Sequence, residues 1–263
     1  MNGALGRMGR LILTLAHDDP SVTISGAADI ACDQTGRDIG LSLGFGPIGV
    51  PLSATISEAI SGADVVIDFT WADAVEPTAS VCANAGIPIV IGTTGLSAEQ
   101  RTSLTGIVSK IPCVFAPNMS VGVNLLFRIV EETARILGDD YDVEIVEAHH
   151  RFKKDAPSGT ARRIAEIVAE SLGRNLENDA VFGRNGMVGE RGASEIGIQA
   201  VRAGDIVGEH MVMFANLGER IELVHRAHSR NAFATGAIRA AKFAMTAAPG
   251  IYDMQDVLGL KRK

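Results

Sequence analysis

Gly3-Ala-Leu-Gly-Arg-Met-Gly9, running straight into Arg10-Leu-Ile-Leu-Thr-Leu-Ala16, is the stretch on which the fold turns. Glycines spaced by three let a chain turn tightly and lie close to a pyrophosphate. The apolar spacing that follows predicts a helix, whose free N-terminal amides would receive that anion. Asp29 stands twenty residues beyond Gly9, at the end of a predicted strand Val22–Ala28, where an acid can accept hydrogen bonds from ribose hydroxyls. Further β-branched runs, Asp64–Thr70, Pro88–Gly92 and Pro112–Ala116, alternate with helical patterns, one of them opened by a capping box at Ser97 and Gln100. Such alternation is how a parallel sheet covered by helices is written. The expectation is an α/β fold whose first part is a doubly wound, Rossmann-type dinucleotide-binding domain.

One departure stands out. Only Met1 and Asn2 precede Gly3, whereas a doubly wound fold places a full apolar strand there, in the middle of the sheet. Without it the centre of the sheet opens and backbone groups lose their partners. The sequence therefore leads us to expect a strand-forming segment upstream of Met1, and a weakened dinucleotide domain without one.

After Ser120 the pattern changes. A long helical stretch through Val123, Leu126, Ile129, Val130 and Ala134 leads to a strand ending near Glu147. Beyond residue 180, Gly197–Arg202, Glu209–Ala215 and Arg220–Arg226 follow one another through glycine-containing turns, as antiparallel or mixed sheets do. A last helix, about 232–247, and an apolar tail through Met254 and Leu258 would return the chain to the first domain. Residues 1–120 and 231–263 are thus expected to bind nucleotide. Residues 121–230 are expected to form a smaller α+β domain with a mixed open sheet, for substrate binding and oligomerisation.

Between strand and helix of that second domain lies Glu147-Ala-His-His-Arg-Phe-Lys-Lys-Asp-Ala-Pro-Ser-Gly-Thr-Ala161, a cluster of bases and cations in a chain of formal net charge -7. Ser158-Gly159-Thr160 falls at the predicted helix start, where unpaired amides and the helix dipole favour a carboxylate or phosphate. His149, His150, Arg151, Lys153 and Lys154 add titratable donors beside it, which is the equipment for proton transfer on an acidic small molecule.

Composition narrows the remaining classes. With 263 residues, 46% hydrophobic and 21% charged, the chain is an ordinary globular protein with room for two domains. Its acidic balance and the lack of a basic stripe argue against nucleic acid. No apolar run reaches bilayer length and no export signal opens the chain. Cys32, Cys82 and Cys113 are odd in number and in no CxxC pairing, so they read as buried small hydrophobes in a reducing cytoplasm. His17, His210, His225 and His228 lack metal-ligand spacing, and no metal is assigned. Trp71 follows the Asp-Phe-Thr strand end and reads as a packing residue, with contact to a cofactor as the alternative.

The run from Glu147 to Ala161 closely resembles the signature of the 4-hydroxy-tetrahydrodipicolinate reductase family, long called dihydrodipicolinate reductase, bacterial enzymes of the diaminopimelate route to lysine. The Gly-Arg-Met-Gly loop is similar to the family's as well, although Leu5 stands where members commonly carry a small residue. The resemblance implies an oxidoreductase using NADH or NADPH on a cyclic dicarboxylate, working in the cytoplasm as a homotetramer built through the second domain's sheet. It implies His149 as acid/base, Lys153 as proton donor, and His150, Gly159 and Thr160 as contacts to substrate carboxylates. Asp155 would orient the loop, while Arg151 and Lys154 stay open between direct contact and a solvated face. For the cofactor it implies Gly3, Ala4, Leu5, Gly6, Arg7, Met8 and Asp29, then Gly92, Thr93 and Thr94, and the segment Ala116, Pro117, Asn118 and Met119. Two rival readings are another Rossmann reductase with an appended sheet domain, such as a diaminopimelate or aspartate dehydrogenase, and a nucleotide-binding homologue without turnover.

Asp29 presents a negative charge and Ile30 follows it, where an arginine would be expected if a 2′-phosphate were held. We therefore expect kcat/KM with NADH at least equal to that with NADPH. A clearly higher value with NADPH would assign a phosphate contact to a basic residue elsewhere, with Arg7 and Arg37 the first to replace.

Overall fold

The structure, a computed structural model, describes residues 1–261. Residues 262 and 263, part of the expected first domain, lie outside the described residues. In chain order the elements are α1 (Arg7–Asp18), β1 (Ala27–Ala28), α2 (Ile39–Leu43), β2 (Leu52–Ser53), α3 (Ile56–Ala59), β3 (Val66–Asp68), α4 (Ala72–Ala85), β4 (Ile89–Ile91), α5 (Ala98–Ile107) and β5 (Pro112–Phe115). There follow α6 (Val121–Leu137), β6 (Asp142–His149), α7 (Gly159–Leu172), α8 (Leu176–Asp179), β7 (Ala180–Phe182), β8 (Ile196–Arg202), β9 (Gly208–Asn216) and β10 (Glu219–Ala227). The chain ends through α9 (Asn231–Ala244), β11 (Gly250–Tyr252) and α10 (Met254–Val257). It divides into two compact units, residues 1–121 with the segment from 230 onward, and Gly122–Ser229.

In the first unit β11, β5, β4 and β3 form one parallel sheet, and β1 pairs with β2 in a separate parallel ribbon. Asn2 joins the two by isolated parallel bridges to Ala28 on one side and Asp68 on the other. The full order, β11-β5-β4-β3-Asn2-β1-β2, is that of a doubly wound sheet whose central strand is reduced to a bridge. The strands are shorter than the sequence suggested: of Val22–Ala28 only Ala27 and Ala28 pair, with β2 on one side and with Asn2 beside Ala28 on the other. Helix α9 packs on the sheet through Ala234, Ala237, Ala240 and Ala241, against Val90, Val114 and Met119. The expected capping box on α5 is present, with Gln100 N 3.2 Å from Ser97 Oγ and Ser97 N 2.9 Å from Gln100 Oε1.

Beside Met1 lies a cavity of about 310 Å³ lined by Ile12, Ile24, Val65, Ile67 and Ile238, with Asp64 and Lys242 also on its wall. The Met1 ammonium donates to the Gly26 carbonyl at 2.9 Å, and burial pushes its pKa down to about 6.

In the second unit the sheet order is β10-β9-β6-β8-β7. Strand β6 runs parallel to β8 and antiparallel to β9, so the sheet is mixed. The short edge strand β7, parallel to β8, was not legible in the sequence. Helices α6 and α7 cover one face, where Val143, Ile145, Ile196, Val212 and Phe214 meet Val130, Ala134, Ile164 and Val168. Two minor expectations fail. Cys32 is exposed, unlike Cys82 and Cys113, whose thiols burial pushes up to about 12. Trp71 is 52% exposed because it precedes α4 as its N-cap and does not enter the core.

Candidate active site

Alternation along β6 buries Val143, Ile145, Glu147 and His149, so the face that begins as apolar core ends as a carboxylate and an imidazole. The strand runs on to His149, which therefore sits at a strand end and not in the loop. Glu147 is fully buried. Its Oε2 lies 2.6 Å from His149 Nδ1 and accepts from Arg202 Nη1 at 2.8 Å. Its Oε1 accepts from the Ser158 amide at 3.0 Å and from Arg202 Nη2 at 2.8 Å. Burial works to raise the carboxyl pKa, but the bonds from Arg202, His149 and Ser158 outweigh it, and Glu147 is held below its ordinary value. For His149 burial wins over the attraction of Glu147, with Lys153 and Arg202 pushing the same way, and the imidazole sits below its ordinary pKa.

Strand β9 adds a residue that the sequence reading set aside. His210 stands opposite Glu147 in the β6–β9 register and opposite His225 in the β9–β10 register. Its Nε2 is 3.2 Å from Ser158 Oγ, and its ring meets that of His149 edge-on at 5.3 Å. Burial pushes its pKa down to about 3. Glu147, Ser158, Arg202 and His210 thus join His149 as site residues. Alternation along β6 could have flagged Glu147. Arg202 and His210 arrive through strand pairing, for which the sequence gives no local signal.

The loop after β6 is tied to the same point. Lys153 Nζ pairs with Asp155 Oδ1 at 2.9 Å, and Arg202 Nη2 donates to the Asp155 carbonyl at 2.7 Å. His150 is half-buried, with its ring 6.3 Å from that of Phe152 and its Nδ1 without a hydrogen-bond partner. Arg151 and Lys154 are exposed. Ser158 caps α7 by accepting from the Ala161 amide at 3.2 Å. Gly159 and Thr160 form the first turn of that helix, and the space beside the Gly159 Cα is open.

In the first unit the glycine loop is packed as the spacing required. A Cβ on Gly3, whose φ is +76°, would lie 2.3 Å from the Phe69 carbonyl, and one on Gly9 would lie 2.0 Å from the Gly3 carbonyl. Gly6 and Arg7 are exposed at the crest, and no side chain caps α1. Asp29 also serves the loop, since its Oδ2 accepts from the Leu5 amide at 2.7 Å and its Oδ1 from the Ile30 amide at 2.8 Å. The carboxylate first holds the loop, leaving only its remaining lone pairs for a ribose. Five other expected contacts are also engaged within the protein. The side chains of Ala4, Ala116 and Met119 are buried in hydrophobic clusters, so they can offer a ligand only backbone. Thr93 is buried, donating to Asp68 Oδ1 at 2.7 Å and accepting from the Thr70 amide at 2.9 Å. Beside Gly92 the Phe69 ring occupies the side-chain position, a Cβ there falling 2.1 Å from its Cζ, so this glycine answers to packing. Thr94 and Pro117 are exposed, Met8 and Leu5 half-buried, and Asn118 Oδ1 accepts from the Ser120 amide at 2.9 Å. Among the described residues no group of His, Cys, Asp and Glu is arranged to hold a metal, and no helix is long and apolar enough to cross a membrane.

Comparison with known proteins gives a consistent result. The family profile described as "Dihydrodipicolinate reductase, N-terminus" matches residues 1–119, and that described as "Dihydrodipicolinate reductase, C-terminus" matches residues 122–258. A 4-hydroxy-tetrahydrodipicolinate reductase of Hahella chejuensis (strain KCTC 2396) is 52% identical over 98% of this chain and 97% of its own length. One from Syntrophus aciditrophicus (strain SB) is 50% identical over 99% and 98%. Among solved structures, a dipicolinate-bound dihydrodipicolinate reductase from Paenisporosarcina sp. TG-14 superposes with a TM-score of 0.76 at 26% identity, covering 97% of this chain and 96% of that one.

Because His210 titrates near 3 when folded and near 6.5 when unfolded, the unfolded chain binds the extra proton between those values. This contribution to stability is complete above 6.5 and is lost as pH falls toward 3. Denaturant melts at about pH 7.5 and about pH 5 should show a smaller acid loss in His210→Gln than in the wild-type protein. An equal loss in both would mean that the buried imidazole is solvated.

Proposed function

This chain belongs to the dihydrodipicolinate reductase family, and we propose that its two units divide one reaction, the first holding NADH or NADPH and the second holding and protonating a cyclic dicarboxylate. The activity is that of an NAD(P)H-dependent oxidoreductase converting 4-hydroxy-tetrahydrodipicolinate to tetrahydrodipicolinate in the diaminopimelate route to lysine. In balance, the substrate gains a hydride and a proton and loses water. The observation that carries the assignment of roles is the buried Glu147–His149 pair beside the open helix start at Gly159.

The first unit fits a dinucleotide. Its glycine loop leaves no room for side chains, Gly6 and Arg7 are exposed, and the uncapped first turn of α1 presents amides suited to a pyrophosphate. When bound, the nicotinamide supplies the hydride. Leu5, Arg7, Met8 and Thr94 would contribute side chains, and Gly3, Ala4, Gly6, Ala116, Asn118 and Met119 backbone.

In the second unit the amides of Gly159 and Thr160 receive a substrate carboxylate at the positive end of α7, and His150 supports it. Lys153 lies four-fifths buried against Asp155. Its ammonium gives the proton to the ring as negative charge develops, and His149 relays protons at the nitrogen that Glu147 does not hold. Further assembly follows from the outward face of the five-stranded sheet. Val146, Met211 and Met213 line it, together with Val201 and Val224, which are 45% and 42% exposed. A second copy of that face would cover them, in keeping with a homotetramer. We place the protein in the cytoplasm, with its biosynthetic substrate.

Lys153→Ala should lower kcat about 10²- to 10⁴-fold, the scale of a general acid, with NADH affinity intact by fluorescence titration. Steady-state rates within a factor of a few of wild type, measured with enzymatically generated hydroxy-tetrahydrodipicolinate, would remove Lys153 from the chemistry.

A further inference from the structure

We propose that Glu147 and Gly208 form a positioning pair that makes His149 a one-sided proton carrier: Glu147 fixes Nδ1 as the inward donor, and Gly208 keeps the room that Nε2 needs to exchange its proton. The inference deepens the reductase reading and rests on it for the reaction, though not for the geometry.

The first half follows from saturation. An ionised carboxylate offers about four lone-pair sites. At Glu147 His149 Nδ1, the Ser158 amide and both terminal nitrogens of Arg202 take them all, at 2.6 to 3.0 Å. Arg202 and the Ser158 amide can only donate, so the carboxylate has no proton to give His149 and must accept. Nδ1 therefore carries hydrogen in the neutral imidazole as well as in the charged one. That leaves Nε2 as the nitrogen that gains and loses a proton.

The second half follows from space. A Cβ on Gly208 would stand 3.1 Å from His149 Nε2 and 3.5 Å from Cδ2. Gly208 opens β9 without a left-handed backbone, so its conformation does not explain the residue. What a side chain would meet there is the exchanging nitrogen. Any residue larger than glycine would press on Nε2 and shield it from the group it serves.

The charges around the ring also agree. Glu147 faces it from its own strand, Lys153 from the loop, Arg202 from β8 and the neutral His210 from β9. Three of these oppose or do not assist protonation, so Glu147 is the anion that keeps the imidazolium accessible. Glu147→Gln would place an amide NH2 against donors and remove that anion. The apparent pKa of His149 should then move down.

Nitrogen-15 NMR of histidine-labelled protein, assigned with His149→Asn, tests the tautomer in the wild-type chain without substrate or turnover. We expect protonated Nδ1 and bare Nε2 at about pH 7.5. The reverse tautomer would overturn the proposal even if Glu147→Gln fails to fold. In Glu147→Gln the histidine pKa and the acid limb of the kcat profile should shift down together. Its kcat should fall about 10- to 100-fold, the scale found for carboxylate partners of metal-bound histidines, with KM changed much less. Gly208→Ala should lower kcat while leaving the His149 tautomer and NADH binding in place. A Gly208→Ala enzyme with wild-type kcat, or a Glu147→Gln enzyme with an unmoved profile, would refute the corresponding half. A correct tautomer in a chain that never reduces the substrate would instead count against the reductase reading.

Discussion

A carboxylate taken wholly out of water is expensive unless every lone pair finds a donor, and Glu147 is such a group. Its four donors come from a strand end, a helix start and a neighbouring strand. Satisfying one charge therefore fixes the relative places of His149, the first turn of α7 and Arg202. Removing one partner of a buried pair of this kind costs on the order of 3–5 kcal/mol. That penalty holds the site together more firmly than the exposed ion pairs elsewhere, such as Arg162 with Glu166, which contribute little.

The same device recurs in the first unit. Asp68, buried at the end of β3, accepts from the Asn2 side chain at 2.8 Å and from the hydroxyls of Thr70 and Thr93 at 2.9 and 2.7 Å. Asp29, at the end of β1, takes the Leu5 amide. In each case an acid near the carboxyl end of a strand gathers donors from adjoining loops, and those loops carry the backbone proposed to face the ligand. Rigid strands supply position, buried acids supply orientation, and glycines keep the approach open.

This arrangement also accounts for expected ligand contacts that serve the fold as well. Thr93 and Gly92 lie in the region where a dinucleotide fold places its ligand, yet the hydroxyl of one serves Asp68 and the bare Cα of the other makes room for the Phe69 ring. Their contribution is to hold Thr94 and the strand end in place. His210, which had no partner in the linear sequence, becomes part of the site because antiparallel pairing sets it opposite Glu147 and within 3.2 Å of Ser158.

The sequence by itself determined what local rules can write. Glycine spacing, the alternation of buried β-branched runs with helices, the cap at Ser97 and the basic run ending in a helix start all act within a few residues, and they fixed the fold class, the glycine loop and the location of Lys153, Gly159 and Thr160. Tertiary structure alone decided which donors reach a buried charge. Arg202 lies 55 positions from Glu147 and His210 lies 52 from Ser158, and each meets its partner only through sheet formation. It also decided that Thr93 and Met119 turn their side chains inside the protein and that Asp29 holds the glycine loop, because packing and hydrogen-bond satisfaction are settled between elements, where sequence spacing carries no record.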